Sequence, residues 1–86
     1  MQVLIPSPLR MYTGNKSQVE AGGATLGELL QNLDQSYPGI RFRMIDEQDG
    51  IRQHIKIYVD RVQADALTMS LAGKQLVHIV CALSGG

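Results

Sequence analysis

The stretch TLGELLQNLDQSYPG, residues 25–39, carries the strongest local signal in the chain. Thr25 and Glu28 stand at capping-box spacing, where the threonine hydroxyl satisfies one free helical N–H and the glutamate reaches back to another. Leu26, Leu29, Leu30, Leu33 and Tyr37 then recur at helical spacing, with Gln31, Asn32, Asp34 and Gln35 turned away. Pro38 and Gly39 end the pattern. One amphipathic helix is predicted, and its leucine face requires a sheet to cover.

Strand patterns lie on both sides of it. Upstream, QVLI (residues 2–5) favours a strand that Pro6 and Pro8 must interrupt, because proline has no N–H to give to a ladder. LRMY, TGNK and SQVEA then read as strand, turn and strand, a hairpin over about 9–21. Downstream, IRFRMI alternates over 40–45, DEQDG is polar, and IRQHIKIYV alternates over 51–59. Two further strands are expected. The stretch 60–73 is ambiguous between a helical turn and a brief strand, and LVHIVCAL closes the pattern as a β-rich strand.

The order strand, strand, helix, strand, strand, strand makes an α+β fold, a mixed four- to five-stranded sheet with one main helix on one face. The other face meets solvent or a partner, so alternation along the last strand carries functional information. Val77, Ile79, Cys81 and Leu83 share one face and are the predicted core set. Leu76, His78, Val80 and Ala82 share the opposite face.

Composition narrows the function classes. The chain has 86 residues, 44% apolar and 19% charged, enough for a single modest core and ordinary for a globular protein. Eight basic residues balance eight acidic ones, so no global field draws nucleic acid or an anionic membrane. A single cysteine and two histidines give no four-ligand metal pattern, and one cysteine cannot hold an iron–sulfur cluster. The lone cysteine and the absence of a leader or apolar span predict a cytoplasmic protein. Cys81 reads as a small core hydrophobe rather than a reactive thiol. Arg10, Arg41 and Arg43 could grip phosphate or an acidic partner, but without an aromatic platform they read as a solvated face. His54 reads as solvated. The glycines of GGATLGE, residues 22–28, lack the lysine and spacing of a phosphate loop.

The chain closes on VHIVCALSGG, residues 77–86. Strand, strand, helix and strands before a Gly-Gly end resemble the β-grasp of ubiquitin-like proteins. Within that superfamily the chain is similar to bacterial sulfur carriers: the molybdopterin synthase small subunit, the thiamine carrier and, nearest, the cysteine-synthesis carrier. The resemblance rests on IPSPLRMYTG, GATLGELLQNLDQSYPGI, IKIYV and ALSGG, which together span most of the sequence. It departs at Cys81, where family tails often carry proline, and at AGKQ (residues 72–75), where an acidic turn is common.

The resemblance implies one sulfur-carrier domain over 1–86, with a flexible tail over 83–86. It implies that the chain is not an enzyme and holds no permanent cofactor. A partner of the ubiquitin-activating type, acting as adenylyltransferase and sulfurtransferase, would use ATP to adenylate the Gly86 carboxylate and exchange the adenylate for sulfur. Gly85 and Gly86, without Cβ atoms, would thread a narrow channel. Acceptors would be a pyridoxal-phosphate cysteine synthase, followed by a hydrolase that clips cysteine from the tail, or the large subunit of molybdopterin synthase. By likeness to ubiquitin, His78 and Val80 would meet partners, with Ala82, Leu83 and Ser84 extending that interface toward the tail. Other classes remain open: a modifier conjugated to lysine, or an interaction module without tail chemistry. No nucleic-acid or membrane partner is expected.

Overall fold

A computed structural model describes residues 1–82. The element order is β1 (Gln2–Leu4), a 3-10 helix (Ser7–Thr13), β2 (Gln18–Glu20), α1 (Leu26–Ser36), α2 (Ile40–Met44), β3 (Ile55–Val59), β4 (Val62–Gln63) and β5 (Leu76–Cys81). The five strands form one mixed sheet in the order β2-β1-β5-β3-β4. β5 lies at its centre, parallel to β1 and antiparallel to β3. This is the expected α+β arrangement, with two short helices added to the main one.

The Thr25 half of the capping box forms as predicted, while Glu28 reaches one residue further back, to the amide before the N-cap. The Thr25 hydroxyl accepts from the Glu28 amide at 3.2 Å, and the Glu28 carboxylate accepts from the Ala24 amide at 2.9 Å. The next free N–H groups of the helix go to the chain crossing its start: the amides of Leu26 and Gly27 donate to the carbonyls of Met69 and Leu67. Leu26, Leu29, Leu30 and Leu33 are buried against Val3, Val19, Ile57, Val59, Val77 and Ile79 of the sheet. Gly23 lies so close to α1 that a Cβ there would fall 2.5 Å from the Leu29 backbone nitrogen. The glycine-rich entry to the helix is thus a matter of clearance.

Ile40–Met44 is a helix, with Ile45 its extended C-cap, and not the strand that the alternation over 40–45 predicts. Ile40 and Met44 are both fully buried, four residues apart, while Phe42 between them is 55% exposed. Six residues of this composition fit a period of two and a period of 3.6, and periodicity alone cannot separate them. The Asp34 side chain decides it: one carboxylate oxygen accepts from the amides of Gly39 (3.0 Å) and Arg41 (3.1 Å), capping the new helix as the chain turns out of α1. Gly39 makes that turn at φ +97, a conformation L side chains rarely adopt.

The other boundaries shift for similar reasons. The expected hairpin over 9–21 is a wider one: β1 pairs with β2, Val3 opposite Val19, and the 3-10 helix fills the connection. Pro6 and Pro8 break the strand as foreseen, and they do so by opening this helix, whose first turn tolerates missing N–H groups. Leu9 and Thr13 are its buried residues. The strand expected over 51–59 is regular only from Ile55. The ambiguous stretch supplies β4, so the strand count is kept although 40–45 left it.

Two non-glycine residues in left-handed conformation, Asp60 (φ 46) and Arg61 (φ 75), close the β3–β4 hairpin. Paired positive φ values are what a two-residue type I′ turn demands. The Asp60 carboxylate also accepts from the amides of Gln75 and Leu76 (3.1 and 2.9 Å), fixing where β5 begins.

Candidate functional site

Alternation along β5 separates its two faces as predicted. Val77 and Ile79 are buried under α1; His78 is exposed, and Leu76, Val80 and Ala82 are half-buried on the other side. Leu83, placed by the sequence with the core set and also in the partner interface, lies outside the described residues. So do Ser84, Gly85 and Gly86.

What the sequence could not supply is the company His78 keeps. The register sets Leu4 of β1 and Tyr58 of β3 on either side of it, so Leu4, His78 and Tyr58 form a row across three strands. Val80 stands opposite Lys56 in the same ladder. Tyr58, Arg61, Leu76, His78 and Val80 line a shallow hollow of about 360 Å³ on this face. On the β1 side, Pro6, Pro8, Arg10, His78, Val80 and Cys81 border an open cleft of about 530 Å³. Leu4, Tyr58 and Arg61 were not singled out from the sequence. Tyr58 was legible in principle, as an outward position in the alternation of IKIYV; Arg61 was not, because its place depends on the turn.

The surface so formed is a half-buried apolar strip with one exposed imidazole. Aromatic and aliphatic side chains on rigid strands present contact area at low entropic cost. Cys81 borders the strip but is half-buried, packed against the core. Burial pushes its thiol above its ordinary pKa, which keeps it protonated and weakly nucleophilic.

The path from this face to the tail is set by one backbone bond. The Ala82 amide donates to the His54 carbonyl at 2.7 Å, extending the β3–β5 ladder one residue past the strand. Ile55 stands opposite Cys81 in that ladder. The chain is therefore held to the sheet through the last described residue.

The arginines noted in the sequence do not share a strand face. The Arg10 Nε donates to the Ile5 carbonyl at 3.0 Å. Arg41 pairs with Asp49 at 3.2 Å, and the Arg43 Nε donates to the Tyr12 hydroxyl at 2.6 Å. Among the described residues no helix is long and apolar enough to cross a membrane.

Comparison with known proteins matches this geometry. The chain is 34% identical over 89 residues to the sulfur carrier protein CysO of Mycobacterium bovis, covering 98% of this chain and 96% of that one. The crystal structure of Mycobacterium tuberculosis CysO superposes with a TM-score of 0.87 at 31% identity, over 95% of this chain and 98% of that chain. A second CysO, from Amycolatopsis orientalis and solved in complex with BexX, gives a TM-score of 0.88 at 30% identity, over 99% and 98% of the two chains. The sequence matches the ThiS family across residues 3–86. With the mixed sheet, the helix beneath it and a sequence match from β1 to the last glycine, the chain belongs to the ThiS family, the ubiquitin-like β-grasp sulfur carriers.

Proposed function

We propose that this chain carries sulfur as a thiocarboxylate on Gly86 and delivers it for the synthesis of cysteine. The observation that carries the reading is the family match, which runs through residue 86 and so includes Gly85 and Gly86. Likeness to sulfur carriers named CysO at 34% identity supports the cysteine branch over the molybdopterin one.

The chemistry is that of an acyl group on a protein handle. A carboxylate oxygen of Gly86 attacks the α-phosphorus of ATP in a partner enzyme and pyrophosphate leaves. A sulfur nucleophile then attacks the acyl carbon and AMP leaves, which puts sulfur where one oxygen stood. Adenylation is needed because a free carboxylate is a poor acyl donor. Gly85 gives the clearance for a narrow channel. Beyond the Gly86 carboxylate that is itself activated, the chain lends the reaction no acid, base or nucleophile and acts as carrier, not catalyst. Its outer sheet face, with His78 and Val80, docks the activating partner, and Ala82, Leu83 and Ser84 lead from that face to the reacting end. A pyridoxal-phosphate cysteine synthase takes the sulfur, and a hydrolase then frees the cysteine from the tail.

Intact mass after incubation with the activating enzyme, ATP and a sulfide source tests this. Replacement of one oxygen by sulfur is expected, and deletion of Gly86 should abolish it. Unchanged mass in the presence of a demonstrably active partner would sink the reading.

A further inference from the structure

The outer sheet face leaves unexplained a second group of residues beside Ala82. Phe42, Arg43, Arg52 and His54 line one concavity of about 240 Å³. His54 also borders the adjoining hollow, with Gln53, Lys56 and Ala82. The two hollows run from the point where the tail leaves β5 to the end of α2.

Both guanidinium groups here are anchored at the same atom. The Arg43 Nε donates to the Tyr12 hydroxyl (2.6 Å), and the Arg52 Nε donates to the Phe42 carbonyl (2.7 Å). Arg52 also stacks on the Phe42 ring, 4.6 Å from its centroid. Among the described residues these Nε bonds are the only hydrogen bonds either side chain makes. Each therefore presents its terminal nitrogens as a fork already held in place.

Among the described residues no acid forms an ion pair with either arginine, although Asp46 attracts Arg52 from a distance. Asp49 is engaged by Arg41, and the Asp46 Oδ1 accepts from the amides of Gln48 and Gly50 at 2.9 Å each. Phe42, 55% exposed, lies under Arg52, while Arg43 lies over the Tyr12 ring, 6.0 Å from its centroid. Anchored arginines beside an exposed aromatic ring have the composition of an interface anchor, and a small anion alone would leave the Phe42 ring uncovered.

We propose that this concavity seats an acidic segment, with an aspartate or glutamate placed between Arg43 and Arg52, on the enzyme that activates the tail. The assignment rests on the carrier reading above. Charge complementarity selects the acidic side chain, and the Ala82–His54 bond puts the two forks beside the root of the tail, so the activating enzyme, the first protein to act on the tail, is brought against them.

The test uses the full chain and the purified activating enzyme. The double variant Arg43→Glu with Arg52→Glu should weaken binding at low salt by about tenfold or more and flatten its salt dependence. Arg43→Gln with Arg52→Gln, which adds no repulsion and guards against misfolding, should weaken it several-fold with an unchanged circular dichroism spectrum. Lys74→Glu, a charge reversal beyond the opposite end of β5, should have no effect. Normal binding by both arginine double variants overturns the proposal while wild-type loading leaves the carrier reading standing. So does competition by millimolar inorganic phosphate that fully reproduces the loss, since that assigns the forks to a small anion. A wild-type chain neither bound nor loaded by an active enzyme overturns both, and the carrier reading fails first.

Discussion

The Ala82 amide and the His54 carbonyl, 2.7 Å apart, tie the root of the tail to the strand beside it. This bond joins the two halves of the candidate site. The apolar strip around His78 lies on one side of it, and the anchored arginines lie on the other.

Replacing Ala82 by proline removes the donor and leaves the β3 carbonyl to solvent. A net backbone hydrogen bond is worth about 1 kcal/mol, which in a domain of this size is a fall in melting temperature of roughly 4–8 °C. Hydrogen exchange at Val80, whose amide is the next to face β3 in this ladder, should rise with it. An unchanged melt and unchanged exchange would mean that the tail root is not held by this bond.

Asp60 does two jobs: it adopts a left-handed conformation in the β3–β4 turn, and its carboxylate receives two amides at the start of β5. Asp60→Ala loses both the acceptor and the tolerance for positive φ, and should cost about 1–2 kcal/mol in urea denaturation. Asp60→Asn keeps an acceptor and tolerates the turn, so it should retain most of the stability. Equal stability of the two variants would contradict the capping role.

Cys81 should be a poor nucleophile despite its nearness to the tail, because burial raises its pKa. Alkylation by iodoacetamide at about pH 8 is expected to be several-fold slower than that of a free thiol. Cys81→Ala should load sulfur at the wild-type rate. Rapid alkylation together with lost loading would return the cysteine to the chemistry.

The loop 46–50 should respond to acid. Backbone amides of Gly50 and then Gln48 hold the Asp46 carboxyl below its ordinary value; desolvation opposes them, and attraction to Arg52 adds the least. A carboxyl depressed in the folded state stabilises fully above its unfolded value, roughly 4, and that contribution is lost as pH falls through the lower folded value. Wild type should therefore melt above Asp46→Ala near neutral pH, with the gap closing as pH is lowered past the ordinary carboxylate range, roughly 4. A gap that stays constant across that range would show that the carboxylate charge is not what the loop uses.

Legibility followed the range of the forces involved. The capping box, the leucine stripe and the alternation of IKIYV and LVHIVC each occupy a few consecutive residues, and each element formed where those residues stand. The segment 40–45 failed because the cap that makes it a helix, Asp34, is contributed from another element. The arginines were misplaced with it: a strand would have set Arg41 and Arg43 side by side, whereas α2 turns one toward Asp49 and the other toward Tyr12.

By itself the sequence determined the α+β class, the helix under the sheet, which face of the last strand is buried, and the resemblance to sulfur carriers, because these follow from local periodicity and from motifs along the chain. Tertiary structure alone decided that β5 is the central strand, that His78 sits between Leu4 and Tyr58, and that Arg43 and Arg52 share a concavity beside Ala82. Strand order and register depend on pairings between residues far apart in sequence, and the alternation of a strand says which way its side chains point but not which strand lies beside it.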